Sequence, residues 1–114
     1  MPKFITIIPP NLFGEKDNFD PRNSHVLAAL LRKFFLAKKN KQKNVVIWGS
    51  GKSRREFLYS DDAAKIIIDI FELNETRILK YTKGNFSHIN IGTGVDYTIN
   101  SIAHIIKKIS GFEG

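Results

Sequence analysis

Phe4-Ile5-Thr6-Ile7-Ile8-Pro9-Pro10 is a β-branched, nearly continuous apolar run stopped by two prolines. A strand with one wet face alternates apolar and polar residues. This run is apolar on both faces, so it reads as a buried strand of a parallel sheet. Parallel neighbours require crossover connections, and the downstream sequence supplies them.

Asn11 to Asn23 is rich in Asn, Asp, Gly and Pro and predicts an ordered loop. Asn23 or Ser24 is suited to cap a helix carrying Val26, Leu27, Leu30, Leu31 and Phe34 at helical spacing. Lys38, Lys39, Lys41 and Lys43 follow, where cations complement the carbonyl end. Val45-Val46-Ile47-Trp48 predicts a second strand stopped by Gly49-Ser50-Gly51, and Glu56-Phe57-Leu58-Tyr59 a short extended piece. Ser60-Asp61-Asp62 opens a second helix with Ala63, Ile66, Ile67 and Ile70 on one face. Asn74 to Asn85 is polar and carries no clear period. His88-Ile89-Asn90-Ile91 predicts a third strand, closed by Gly92-Thr93-Gly94. Thr98 caps a last helix bearing Ile99, Ile102, Ala103, Ile106 and Ile109, ended by Gly111. The alternation argues an α/β fold with a largely parallel sheet. Three strands and three helices are few for a two-sided sheet, so the first strand reads as the middle of a larger one.

The 114 residues leave room for one domain. With 42% apolar and 25% charged residues, the composition is that of a globular chain. There is no cysteine, which excludes disulfides, thiolate metal sites and a cysteine nucleophile and fits a reducing cytoplasm. No apolar run approaches the ~20 residues of a membrane span, and no signal peptide is legible. Net charge is +7, and nine of the eighteen basic residues fall between Arg32 and Arg55 with no acid among them. Such a stretch suits phosphate, on a nucleic acid or on a nucleotide-linked substrate; the alternative is a solvated lysine-rich helix end.

Gly49-Ser50-Gly51-Lys52-Ser53 imitates a phosphate loop, but Val46 stands where that motif needs glycine. The two Gly-x-Gly triplets lack the third glycine of a dinucleotide fingerprint, with Arg54 and Tyr97 in its place. His25, His88 and His104 form no metal-binding pair. His88 and His104 read as structural and surface residues, whereas His25 stands at a helix start just after a polar loop. Arg54 and Arg55 follow a glycine turn, where a guanidinium fork suits phosphate; the alternative is an ion pair with Glu56 or Asp61. Trp48, before the glycines, is either core or a stacking platform.

Several segments together carry a resemblance. They are Pro9-Pro10-Asn11-Leu12-Phe13-Gly14, Asp17-Asn18-Phe19, Asn23-Ser24-His25-Val26, Trp48-Gly49-Ser50-Gly51, Arg54-Arg55-Glu56-Phe57-Leu58-Tyr59 with Asp61-Asp62, and His88 to Gly94. The chain resembles the GDP-L-fucose synthase branch of the extended short-chain dehydrogenases, the NAD-dependent epimerase/dehydratase family. The resemblance implies a Rossmann-like fold, of which residues 1–114 are a single partial domain: the last sheet strand or strands plus part of the substrate-binding domain. It implies 3,5-epimerisation and NADPH-dependent 4-reduction of a GDP-sugar. Pro9, Pro10, Asn11 and Leu12 resemble the strand-end segment at the nicotinamide half of NADP, with Pro10 where the family has threonine. His25 resembles the histidine that contacts cofactor and acts as an acid in epimerisation. Lys33, Trp48 and Arg55 fall on positions that hold the GDP-sugar. A dianionic ligand then accounts for the basic stretch and argues against a nucleic-acid partner.

The family's glycine-rich loop and Tyr-x-x-x-Lys pair have no match in this sequence. Hydride transfer needs both a held dinucleotide and a proton donor. The expectation is therefore a fragment of an enzyme, inactive alone and poorly soluble through its unpaired strand edge, whose parent is a cytoplasmic homodimer. Two alternatives stand beside it: a piece of another nucleotide-sugar epimerase or dehydratase, and a small basic phosphate- or nucleic-acid-binding module.

Overall fold

A computed structural model describes residues 5–82 and 88–114. They form two compact units. The first takes the described residues up to Gly14 together with Glu56–Val95, and the second takes Glu15–Arg55 and Asp96–Gly114.

In the first unit, β1 (Thr6–Ile8) pairs in parallel with β4 (His88–Asn90), with Ile7 opposite Ile89. The Ile91 amide extends the ladder to the Ile8 carbonyl at 3.0 Å. Phe4 lies outside the described residues; the rest of its apolar run forms the parallel strand expected, but not a buried one, since Thr6 and Ile8 are exposed and β4 is its one neighbour in the sheet among the described residues. A second parallel pair joins β2 (Asn11–Phe13) to β3 (Arg54–Tyr59), with Leu12 opposite Leu58 and Phe13 opposite Tyr59. Leu58 is buried, and the Phe13 and Tyr59 rings meet at 5.6 Å. Asn11 to Phe13 thus leaves the predicted loop, because Leu12 and Phe13 find Leu58 and Tyr59 as partners on the neighbouring strand.

β3 runs straight into α2 (Ser60–Phe71), whose N-cap is the extended Tyr59. Asp61 and Asp62 occupy its first turn, where the helix dipole favours negative charge. The polar stretch after Asn74 contains a short helix, α3 (Glu75–Tyr81), because the Asn74 side chain accepts the Arg77 amide at 3.0 Å. The remainder of that stretch, 83–87, lies outside the described residues.

The second unit is built on α1 (Val26–Lys39) against α4 (Ile99–Ser110). Ala28, Leu30, Phe34 and Ala37 face Ile99, Ile102, Ala103 and Ile106, and all eight are buried. Phe112 closes the end edge-on to Phe34, with centroids 5.6 Å apart. Truncating Phe34 to alanine would cost about 3–5 kcal/mol by the usual cavity cost. β5 (Asp96–Thr98), not foreseen from sequence, neighbours β3 and leads into α4. Thr98 caps that helix as expected, accepting the Ser101 amide at 3.0 Å. Gly111 ends it at φ +63°, a left-handed conformation that glycine adopts without strain.

Two readings fail in this unit. The cap of α1 is His25, not Asn23 or Ser24: the Asn23 carboxamide oxygen instead accepts Asn18 Nδ2 at 2.9 Å. Val45–Trp48 is not a strand. The Val46 carbonyl is taken by the Lys33 ammonium at 3.0 Å, so a side chain stands where a ladder partner would be. Among the described residues no helix is long and apolar enough to cross a membrane.

Candidate functional site

Lys33 projects from the middle of α1 and holds the segment before the glycine turn. Its Nζ donates to the Val46 carbonyl and stands 4.2 Å from the centroid of the Trp48 ring. Trp48 is 79% exposed, and the following Gly49 and Gly51 both have positive φ. An exposed indole beside a fixed cation can stack a flat group and meet an anion together.

Arg54 and Arg55 separate by role. The Arg54 guanidinium grips Asp96 through Nε at 3.0 Å and Nη2 at 2.8 Å, and Nη2 also donates to the Asp96 carbonyl at 3.1 Å. Those hydrogen bonds hold the Asp96 carboxyl below the usual carboxylate range. The expected partners, Glu56 and Asp61, are not the ones chosen. Arg55 is exposed and donates to the Arg54 carbonyl at 2.7 Å; among the described residues no carboxylate neutralises it. Its fork is the one available to a phosphate.

His25 follows a built loop. Asp20 accepts the Ser24 amide at 2.8 Å through its carbonyl and holds Arg22 at 2.7 Å through its carboxylate. The Asn18–Asn23 side-chain bond closes the same loop. His25 itself is exposed and extended, and its imidazole is not spent on capping α1. The Asn- and Asp-rich segment therefore fixes where the imidazole stands.

In the first unit, Pro9 and Leu12 are exposed and Pro10 is half-buried. The Asn11 carboxamide donates to the Glu56 carbonyl at 3.0 Å. Glu56 is the residue that sequence reasoning missed. Its Oε1 accepts the Gly94 amide at 2.8 Å and the Thr93 hydroxyl at 3.2 Å, and a Cβ on Gly92 would collide with the same carboxylate. One glutamate thus ties the β2 end to the Gly92–Gly94 turn. The signal for it was an acid between Arg55 and Phe57 with a Gly-Thr-Gly turn elsewhere, which no periodicity connects.

Of the residues singled out from sequence, Lys33 and Trp48 are in direct contact, and His25 and Arg55 belong to the same unit. Pro9 to Leu12 belong to the other unit. The Pro9–Leu12 segment presents apolar surface and one carboxamide, and its two prolines offer no N–H groups to a phosphate.

A family model described as the NAD dependent epimerase/dehydratase family matches residues 2–92. The chain is 48% identical to GDP-L-fucose synthase of Escherichia coli K12, over 97% of its own length and 35% of that protein's. Among solved structures, a GDP-mannoheptose C4 reductase from Campylobacter jejuni with NADP bound is 38% identical. Its TM-score is 0.78, with 97% of this chain and 41% of that one covered. A GDP-L-fucose synthetase from Naegleria fowleri bound to NADP is 33% identical with a TM-score of 0.82, covering 97% and 32% of the two chains. The chain spans about a third of the length of the curated relatives it matches.

Proposed function

Because this chain belongs to the NAD dependent epimerase/dehydratase family, we propose that it is the sugar-nucleotide-holding third of an enzyme that makes GDP-L-fucose. The whole enzyme converts GDP-4-keto-6-deoxymannose by 3,5-epimerisation and NADPH-dependent 4-reduction. The observation that carries this reading is the Lys33–Trp48 pair on an exposed face, in a chain 48% identical to a GDP-L-fucose synthase. Lys33 and Arg55 meet the diphosphate, and Trp48 offers its plane to the sugar or base. His25 holds and moves a proton at the epimerised carbon. Pro9, Pro10, Asn11 and Leu12 contact the nicotinamide half of NADP, which supplies the hydride when bound. The glycine-rich loop and the Tyr-x-x-x-Lys pair are not among these residues, so this chain by itself carries out no reduction. The whole enzyme is a cytoplasmic homodimer.

In the whole enzyme, Arg55→Ala raises the KM for the sugar nucleotide far more than that for NADPH, and His25→Ala damages epimerisation more than reduction. Equal effects on both overturn the assignments. The Campylobacter relative favours a second reading, in which the same residues hold a GDP-heptose for 4-reduction. Competition between the two GDP-sugars for one enzyme separates them.

A further inference from the structure

The segment that carries Trp48 and Arg55 hangs on the start of α4. A helix leaves its first N–H groups without partners of its own. In α4, Ile99 donates to the Ser53 carbonyl and Asn100 to the Gly51 carbonyl, both at 2.9 Å, and Ser101 donates to the Thr98 hydroxyl at 3.0 Å. Gly51 is buried against that helix, where a Cβ would stand 3.2 Å from Asn100 Cβ. Two amides at the helix start therefore hold the chain between the glycine turn and Arg54.

Asp96, two residues before the cap, completes the attachment. Its carboxylate accepts Arg54 Nε at 3.0 Å and Nη2 at 2.8 Å, and its carbonyl accepts Nη2 at 3.1 Å. Arg54 is thus fixed by the geometry of its fork and not by charge alone. The Arg54 carbonyl in turn accepts Arg55 Nη1 at 2.7 Å, which leaves Arg55 Nε and Nη2 for a ligand. Both members of the Arg54–Asp96 pair are about half exposed, at 56% and 51%, where an ion pair adds little to stability. What the pair does provide is a fixed backbone carbonyl beside a free guanidinium.

Given the reading in which Lys33, Trp48 and Arg55 hold a GDP-sugar, on which this rests, we propose that Asp96 is a positioning residue for the diphosphate. Through Arg54 it fixes the carbonyl on which Arg55 leans, and so sets the direction of the Arg55 fork. Charge alone predicts the opposite effect of removing it: an acid taken away from beside an anion site strengthens the attraction. Lost positioning weakens binding, so the sign of the change decides.

The test titrates GDP-mannose into the 114-residue chain and follows Trp48 fluorescence. Asp96→Asn is expected to weaken binding about fivefold. Arg54→Lys, which keeps the charge and loses the fork, weakens it as much, and Asp96→Glu weakens it less. Asp96→Asn combined with Arg54→Lys costs no more than either alone, because both break one link. Asp69→Asn removes the same charge from an exposed position on α2 and leaves the affinity unchanged. In the ligand-free chain, Asp96→Asn is expected to speed amide exchange at Ile99 and Asn100 while helical circular dichroism stays the same. Should Asp96→Asn fail to fold, Arg54→Lys carries the same comparison. Binding by Asp96→Asn as tight as that of the unaltered chain, or tighter, overturns the proposal and leaves the GDP-sugar reading standing. So does weaker binding with no faster exchange at the two amides. An unaltered chain that ignores GDP-mannose overturns that reading and the proposal with it.

Discussion

The Lys33 ammonium stands 4.2 Å from the Trp48 ring centroid while its hydrogen bond to the Val46 carbonyl, at 3.0 Å, anchors the chain two residues earlier. One side chain thereby replaces a strand partner and orients an exposed aromatic surface. The helix provides the rigid base, and the glycine turn after Trp48 leaves the ring in the open.

Lys33→Met removes both contacts while keeping the stem. Trp48 is the only tryptophan, so its fluorescence reports the segment directly. The variant is expected to lower Trp48 anisotropy and cost about 1 kcal/mol of stability. Unchanged anisotropy would show that the indole is held by something else.

Glu56 and Gly92 form a second linked pair. Gly92→Ala puts a methyl group against the Glu56 carboxylate and is expected to destabilise the chain. Glu56→Ala is expected to cost about 1 kcal/mol by removing the hydrogen bonds to the exposed Gly94 amide and Thr93 hydroxyl. Glu56→Gln retains an acceptor oxygen and costs less. In the double variant Gly92→Ala with Glu56→Ala the collision is gone, so urea melts are expected to show a smaller loss than the two singles added. Simple additivity would contradict the geometry.

Asp96 sets an acid-side dependence. Its folded pKa is lowered from 3.8, chiefly by the Arg54 hydrogen bonds. A depressed carboxyl contributes stability above its unfolded pKa and loses it as pH falls through the folded value. Asp20, lowered by Arg22, acts with the same sign. The stability gap between the unaltered chain and Asp96→Asn is therefore expected to be constant near neutral pH and to close as the pH falls below 3.8. Both groups are exposed, so salt is expected to shrink the gap. A gap that widens in acid would refute the pairing.

Gly111→Ala tests the end of α4. Alanine at φ +63° is strained, and the expected cost is about 1 kcal/mol, with Asn losing less. Equal stability of alanine and glycine would mean that the cap relaxes.

The elements legible in sequence were those whose pattern is local. The stripes of α1, α2 and α4, the Thr98 cap and the Gly111 stop follow from spacing alone, as do the strands at Ile7 and Ile89. Val45–Trp48 misled because its β-branched pattern is that of a strand while its carbonyl partner is a lysine thirteen residues back. β2 and β5 are three residues each, too short to show a period, and arise from their neighbours in the sheet. At the candidate site, His25, Arg55 and Trp48 stood out by their places at a helix start and beside a glycine turn, whereas Lys33 was found through the family resemblance. The separation of Arg54 from Arg55 required Asp96, forty-two positions away, and Glu56 required a turn thirty-eight positions on.

The central claim is that residues of this chain hold a GDP-sugar, and Trp48 fluorescence tests it most directly. Titrating GDP-mannose into the 114-residue chain is expected to quench Trp48 saturably. Lys33→Ala and Arg55→Ala are expected to weaken that binding by about tenfold each, and UDP-glucose to bind more weakly. Quenching that survives both substitutions unchanged, or a tryptophan indifferent to GDP-mannose at millimolar concentration, would contradict the account.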